Sequence, residues 1–302
     1  MAIWLLLLSC AGVVRVDDPT PDPPVPPDTA PPVTTTDVFT YEAPVVDVLF
    51  VIDASCSMAP KTAALIGSLQ GMVDDWTAAG FDFHAGVVNI DESPVHGELV
   101  RVDGVGWADP SQANPGQMLM QLAAAVPDPS ATESGRSAAY KALDWADEPG
   151  EANEGFLREG SEIAVIVHTD ERDQSGSDPV NEAEFVNYML GLREPERVAF
   201  HSIVGTEDYS NLSESIGGIV WSVDNTPYGP PLQAMTDTID PTLLELSASP
   251  IESSLELRIV HADLTETMVD SDGYLYDDES NTVQMLTLPS SGDTVEITYE
   301  LP

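Results

Sequence analysis

Basic residues are scarce in this chain: 10 Lys and Arg stand against 52 Asp and Glu in 302 residues, a formal net charge of −42. A field of that sign repels phosphate backbones, which nucleic-acid binders neutralise with Lys and Arg, so nucleic acid is excluded as a partner. Cysteine is nearly absent, and Cys10 and Cys56 alone cannot make a disulfide framework. Long apolar runs are missing too: residues 2–9 (AIWLLLLS) fall far short of the roughly 20 residues of a spanning helix. Catalytic signatures are equally thin. The five histidines, His84, His96, His168, His201 and His261, show no HxxxH spacing, and there is no GxSxG elbow, Walker loop or GxGxxG. No catalytic constellation argues for an enzyme.

What remains is a chain long enough for a moderate domain plus an appendage. Its acidic residues are spread along the sequence, which suits a strongly solvated surface, a salty habitat or a taste for cations. At the N-terminus the short apolar run followed by small residues has the shape of a signal-peptide core. Leu7, Leu8 and Ser9 before Cys10 resemble the lipobox of bacterial lipoproteins. That resemblance implies a signal peptide over residues 1–9, a lipidated Cys10, and a place in the bacterial cell envelope, at the outer membrane or cell surface. An ordinary cleaved signal and a fortuitous apolar start are the alternatives. Residues 17–36 (DDPTPDPPVPPDTAPPVTTT) carry too little apolar surface to fold, and proline biases them toward extended polyproline II. Residues 10–40 thus read as an anchor and a Pro-rich tether.

From residue 45 short apolar runs alternate with longer amphipathic ones, the pattern of parallel strands joined by crossover helices. Strands are expected at Val45–Ile52, Phe83–Ile90, Leu99–Val102, Ile163–His168, Val198–Val204 and Ile219–Val223. Helices fit Pro60–Ala79, Gln117–Ala125, Ser134–Trp145, Val180–Leu192 and Leu232–Ile239. The fold class is therefore α/β, a doubly wound, mostly parallel sheet over residues 41–242. Beyond about residue 243 alternating segments such as LELRIV and TVEITYEL, separated by Asp, Gly, Ser and Pro, predict a small antiparallel β module over residues 243–302.

In open α/β sheets ligands bind beyond the carboxyl ends of the strands, so the residues after Ile52 and His168 are where chemistry is sought. After Ile52 the sequence reads Asp53, Ala54, Ser55, Cys56, Ser57, Met58, and after His168 come Thr169 and Asp170. Hydroxyls and carboxylates on neighbouring loops suit a hard cation that prefers an octahedron of oxygens. The bland alternative is a Ser and Asp cap on the helix that follows.

Asp53, Ser55 and Ser57 after an apolar strand resemble the DxSxS signature of the metal-ion-dependent adhesion site in von Willebrand factor type A domains. The resemblance implies a third hydroxyl before a helix, matched by Thr132 with Ser130 and Ser134 as substitutes, and an acid after the central strand, matched by Asp170. It further implies that Ser55, Ser57 and Thr132 hold Mg2+, or alternatively Mn2+ or Ca2+, directly, while Asp53 and Asp170 act through water. A last coordination position is then left for an Asp or Glu carboxylate of a protein or surface polymer. A metal-dependent enzyme accessory and a structural envelope protein are the other readings. Extracellular members of this family often pair the loop cysteine with one in the acidic loop; here Gln174 stands in that place, which leaves Cys56 a free, buried thiol. Asp173 is read as a solvated loop residue, His168 as packed and hydrogen-bonded, and the acidic turn around Asp270, Asp272, Asp277, Asp278 and Glu279 as solvated.

Overall fold

The computed structural model describes residues 32–42, 44–91, 96–127, 132–177, 179–239 and 243–302. Cys10, Ser130, the expected signal segment and most of the expected tether lie outside them. Among the described residues no helix is long and apolar enough to cross a membrane.

Among the described residues strand β1 (Thr34–Thr40) comes first, then β2 (Val45–Ile52), helix α1 (Ala59–Ala78), β3 (Asp82–Asn89) and the two-residue β4 (Trp107–Ala108). Helices α2 (Pro115–Ala124) and α3 (Gly135–Asp147) precede β5 (Glu162–Thr169), α4 (Glu182–Leu192) and β6 (Val198–Val204). The α/β part ends with α5 (Glu207–Ile216), β7 (Val220–Ser222) and α6 (Gly229–Ile239). Its sheet has the order β4-β3-β2-β5-β6-β7, parallel except for the short β4. Both faces are covered, as near-continuous apolar strands require. Val46, Val48, Phe50 and Ile52 of β2 face one core, shared with Leu65, Leu69 and Trp76 of α1 and with residues of α2 and α6. Leu49 and Val51 face the other, built with α3, α4 and α5 through Leu143, Phe185 and Tyr209.

The remaining strands are β8 (Leu243–Glu245), β9 (Glu256–Val260), β10 (Glu266–Val269), β11 (Tyr274–Asp277), β12 (Thr282–Met285) and β13 (Thr294–Glu300). Together with β1 they form two antiparallel sheets, β1-β13-β9-β10 and β11-β12-β8, around one apolar cluster of Leu246, Leu257, Ile259, Val283, Met285, Val295, Ile297 and Tyr299.

Two expectations need correction, and one helix is added. The tether does not run to residue 40, because Thr34–Thr40 pairs along its whole length with β13 and closes the C-terminal sandwich. Its β-branched residues favour that strand, and Tyr299 Oη ties it by donating to Asp37 at 2.7 Å. Leu99–Val102 is not a strand. It makes one bond to β3, Val100 N–H to the Val87 carbonyl at 2.8 Å, then turns back on itself at Val102 and Val105, while β4 pairs with β3 at Ala85 and Gly86. Helix α5 was not foreseen; its Tyr209, Leu212, Ser213 and Ile216 are buried at helical spacing within a polar run.

Candidate cation site

Strand order creates the site. From β2 the chain passes to β3 on one side, whereas β5, β6 and β7 succeed each other on the opposite side. Helix α1 after β2 packs on one face and α4 after β5 on the other. The crevice between the carboxyl ends of β2 and β5 is therefore a topological switch point. Ile52 and His168 are paired there, so both strands deliver their next residues at the same level.

Asp53 is fully buried and organises the first loop. Its Oδ1 accepts the Ser55 N–H at 2.7 Å, its Oδ2 accepts the Thr169 hydroxyl at 2.7 Å, and its carbonyl accepts Thr62 Oγ1 at 3.0 Å. With both carboxylate oxygens engaged, Asp53 holds the loop in shape. The serine hydroxyls are directed elsewhere: Ser55 Oγ and Ser57 Oγ are 3.1 Å apart, and Ser57 Oγ donates to Asp170 Oδ1 at 3.1 Å. Neither serine caps a helix. The N-cap of α1 is Met58, without a side-chain cap bond, and Pro60 removes a donor from its first turn.

Thr132 lies half-buried in the loop before α3, whose N-cap is Ser134. That loop is fixed to the same rim. Ser134 N–H bonds the Ile90 carbonyl at 2.9 Å, Gln174 N–H bonds the Glu133 carbonyl at 2.8 Å, and the Gln174 amide donates to Glu133 Oε2 at 2.6 Å. Gln174 thus joins the acidic loop to the Thr132 loop by hydrogen bonds. Asp173 is no solvated residue: it accepts from Ser175 Oγ at 2.6 Å and from Tyr209 Oη at 3.3 Å, and pairs with Arg136 at 3.4 Å.

The residue missed from sequence is Lys61. Its ammonium donates to Asp170 Oδ2 at 3.0 Å and contacts Asp224 Oδ1 at 3.1 Å. Burial pulls its pKa down, but the bonds to the two carboxylates outweigh that and hold it above the usual lysine value. No local spacing points to it: Lys61 lies in the first turn of α1 and meets Asp170 only across 109 residues of sequence. Two expectations about neighbours change as well. Cys56 is free but exposed, because it sits on the outer bend of the loop rather than against the core. His168 is packed against Tyr228, edge to face at 5.3 Å, yet among the described residues neither ring nitrogen has a hydrogen-bond partner. Burial, helped by the Lys61 charge, lowers its pKa to about 3, so the ring is neutral.

No three side chains of His, Cys, Asp and Glu gather as a metal cluster among the described residues. The donor set is instead one of hydroxyls and carboxylates. Cis ligands of an octahedral ion with bonds of about 2.1 Å lie about 3 Å apart. The Ser55–Ser57 oxygen separation of 3.1 Å fits that requirement, and Asp170 Oδ1 orients the Ser57 hydroxyl by accepting from it at 3.1 Å.

The chain matches no family model and no curated protein. Among solved structures, a von Willebrand factor type A protein from Catenulispora acidiphila is similar with a TM-score of 0.41 and 13% identity, over 90% of this chain and 66% of that one. The pilus adhesin SpaC from Lactobacillus rhamnosus GG, in an open conformation, gives 0.47 and 12%, over 89% and 41%. The manganese-loaded TRAP protein of Plasmodium vivax gives 0.38 and 13%, over 80% and 98%. The chain thus spans just under two thirds of the first and well under half of the second.

Proposed function

We propose that this protein is an extracytoplasmic binding module of the von Willebrand factor type A kind, which uses a divalent cation to capture an acidic group on a protein or surface polymer. The carrying observation is that the Ser55 and Ser57 hydroxyls face each other rather than capping α1, and that Ser57 in turn meets Asp170, 113 residues away in sequence. Ser55, Ser57 and Thr132 would hold the ion, with Asp53 and Asp170 orienting the hydroxyls; Mg2+ is the first choice, Mn2+ and Ca2+ the alternatives. When bound, the ion supplies a positive centre to which a partner carboxylate can add. The N-terminal segment, by its lipobox resemblance, would tether the module to a membrane.

Asp53→Ala should abolish Mg2+-dependent capture of surface partners in a pull-down while circular dichroism stays native. Capture that persists in chelator contradicts the proposal. A second reading, a structural envelope protein that works without the ion, is favoured by the Lys61 ammonium already on Asp170. Melting temperatures indifferent to Mg2+, Mn2+ and Ca2+ would select it, because a ligand of the folded state must raise stability.

A further inference from the structure

We propose that Lys61 is a built-in counter-cation of this site, competing with the divalent ion for Asp170 and so setting the ion concentration at which the site loads. The inference rests on the cation-binding reading above.

Asp170 faces two ways. Its Oδ1 receives the Ser57 hydroxyl at 3.1 Å and its Oδ2 receives the Lys61 ammonium at 3.0 Å. The same ammonium is held from the far side by Asp224 on the loop after β7, at 3.1 Å. The Lys61 and Asp170 side chains are about four-fifths shielded from solvent, so this pair is poorly screened compared with a surface pair. In a chain with only ten Lys and Arg, a lysine held between two acids at the rim of the serine pair is a specific placement.

Without a divalent ion, Lys61 leaves Asp170 compensated. With one, two positive charges share a single carboxylate and repel. An ion held by the serines would share the Asp170 carboxylate with the ammonium, and repulsion between charges that close costs several-fold in binding even at the dielectric constant of water. Lys61 therefore weakens the site for every divalent ion and reserves it for surroundings rich in them. A lysine that merely tied α1 to the β7–α6 loop would act oppositely, since cutting the tie would loosen Asp170 and weaken ion binding.

The test is a Mn2+ titration of the full chain, following the free ion by electron paramagnetic resonance, for wild type, Lys61→Met and Lys61→Arg. Lys61→Met is expected to bind at least threefold more tightly and Lys61→Arg to match wild type. In chelator Lys61→Met should melt below wild type, and saturating Mn2+ should close that gap. Binding by Lys61→Met alone also supports the inference. Equal or weaker affinity in folded Lys61→Met overturns it and leaves the cation-binding reading standing. If no variant binds Mn2+, that reading fails and the inference falls with it. Should the methionine variant not fold, Lys61→Gln replaces it with the same expectations.

Discussion

Thr169 is the side chain on which the first loop depends most directly, for its hydroxyl holds the buried Asp53 Oδ2 at 2.7 Å and its oxygen in turn accepts the Glu171 N–H at 3.0 Å. Thr169→Val keeps the shape and removes both bonds, leaving a fully buried carboxylate oxygen without its donor. Stability should fall by roughly 1–3 kcal/mol in urea unfolding. Ion affinity should fall about 10- to 100-fold in calorimetric titration, the usual cost of losing a group that orients ligands. Unchanged affinity would mean that Asp53 does not organise the hydroxyls. At this scale the sequence was informative about residue type and silent about geometry. Asp53, Ser55, Ser57 and Asp170 were legible because they follow buried strands, but Lys61 becomes a neighbour of Asp170 only when α1 and the β5 loop meet across 109 residues.

Among the elements, β6 carries a titration that can be read in solution. His201 is fully buried on it; its Nδ1 accepts the Ile219 N–H at 3.1 Å, so the ring proton sits on Nε2, facing Thr238 Oγ1 at 3.4 Å. Burial lowers its pKa from 6.5 to about 4. The unfolded chain therefore takes up the proton first as pH falls. The stabilising contribution of the neutral ring is complete above pH 6.5 and is lost between 6.5 and 4, up to roughly 3 kcal/mol. His201→Gln, which does not titrate there, should lose less stability than wild type over that interval in paired urea unfolding curves. Parallel curves would contradict the assignment. The buried strands were the most legible elements: Val45–Ile52 and Val198–Val204 have the expected bounds. Periodicity failed where its signal was weak or its partner distant. Helix α5 hides its apolar stripe among Glu, Asp, Ser and Asn, and β1 finds its partner β13 some 260 residues downstream, beyond any local window.

At the scale of the molecule, a doubly wound sheet places two loops at a switch point, and a sandwich closed by the strand Thr34–Thr40 stands beside it in sequence. The acidic surface, with its charge of −42, gathers cations loosely all over, so ion binding at one site has to be distinguished from a diffuse atmosphere. The central claim is that hydroxyls and acids from separate loops converge to hold one divalent ion. Its most direct test is a calorimetric titration of the protein with Mn2+ in 0.15 M salt, which screens the diffuse component, beside the Ser55→Ala, Ser57→Ala double variant. The account predicts a single saturable site in the wild type and none in a double variant of native circular dichroism. Equal binding by the two proteins, or no site in either, would contradict it.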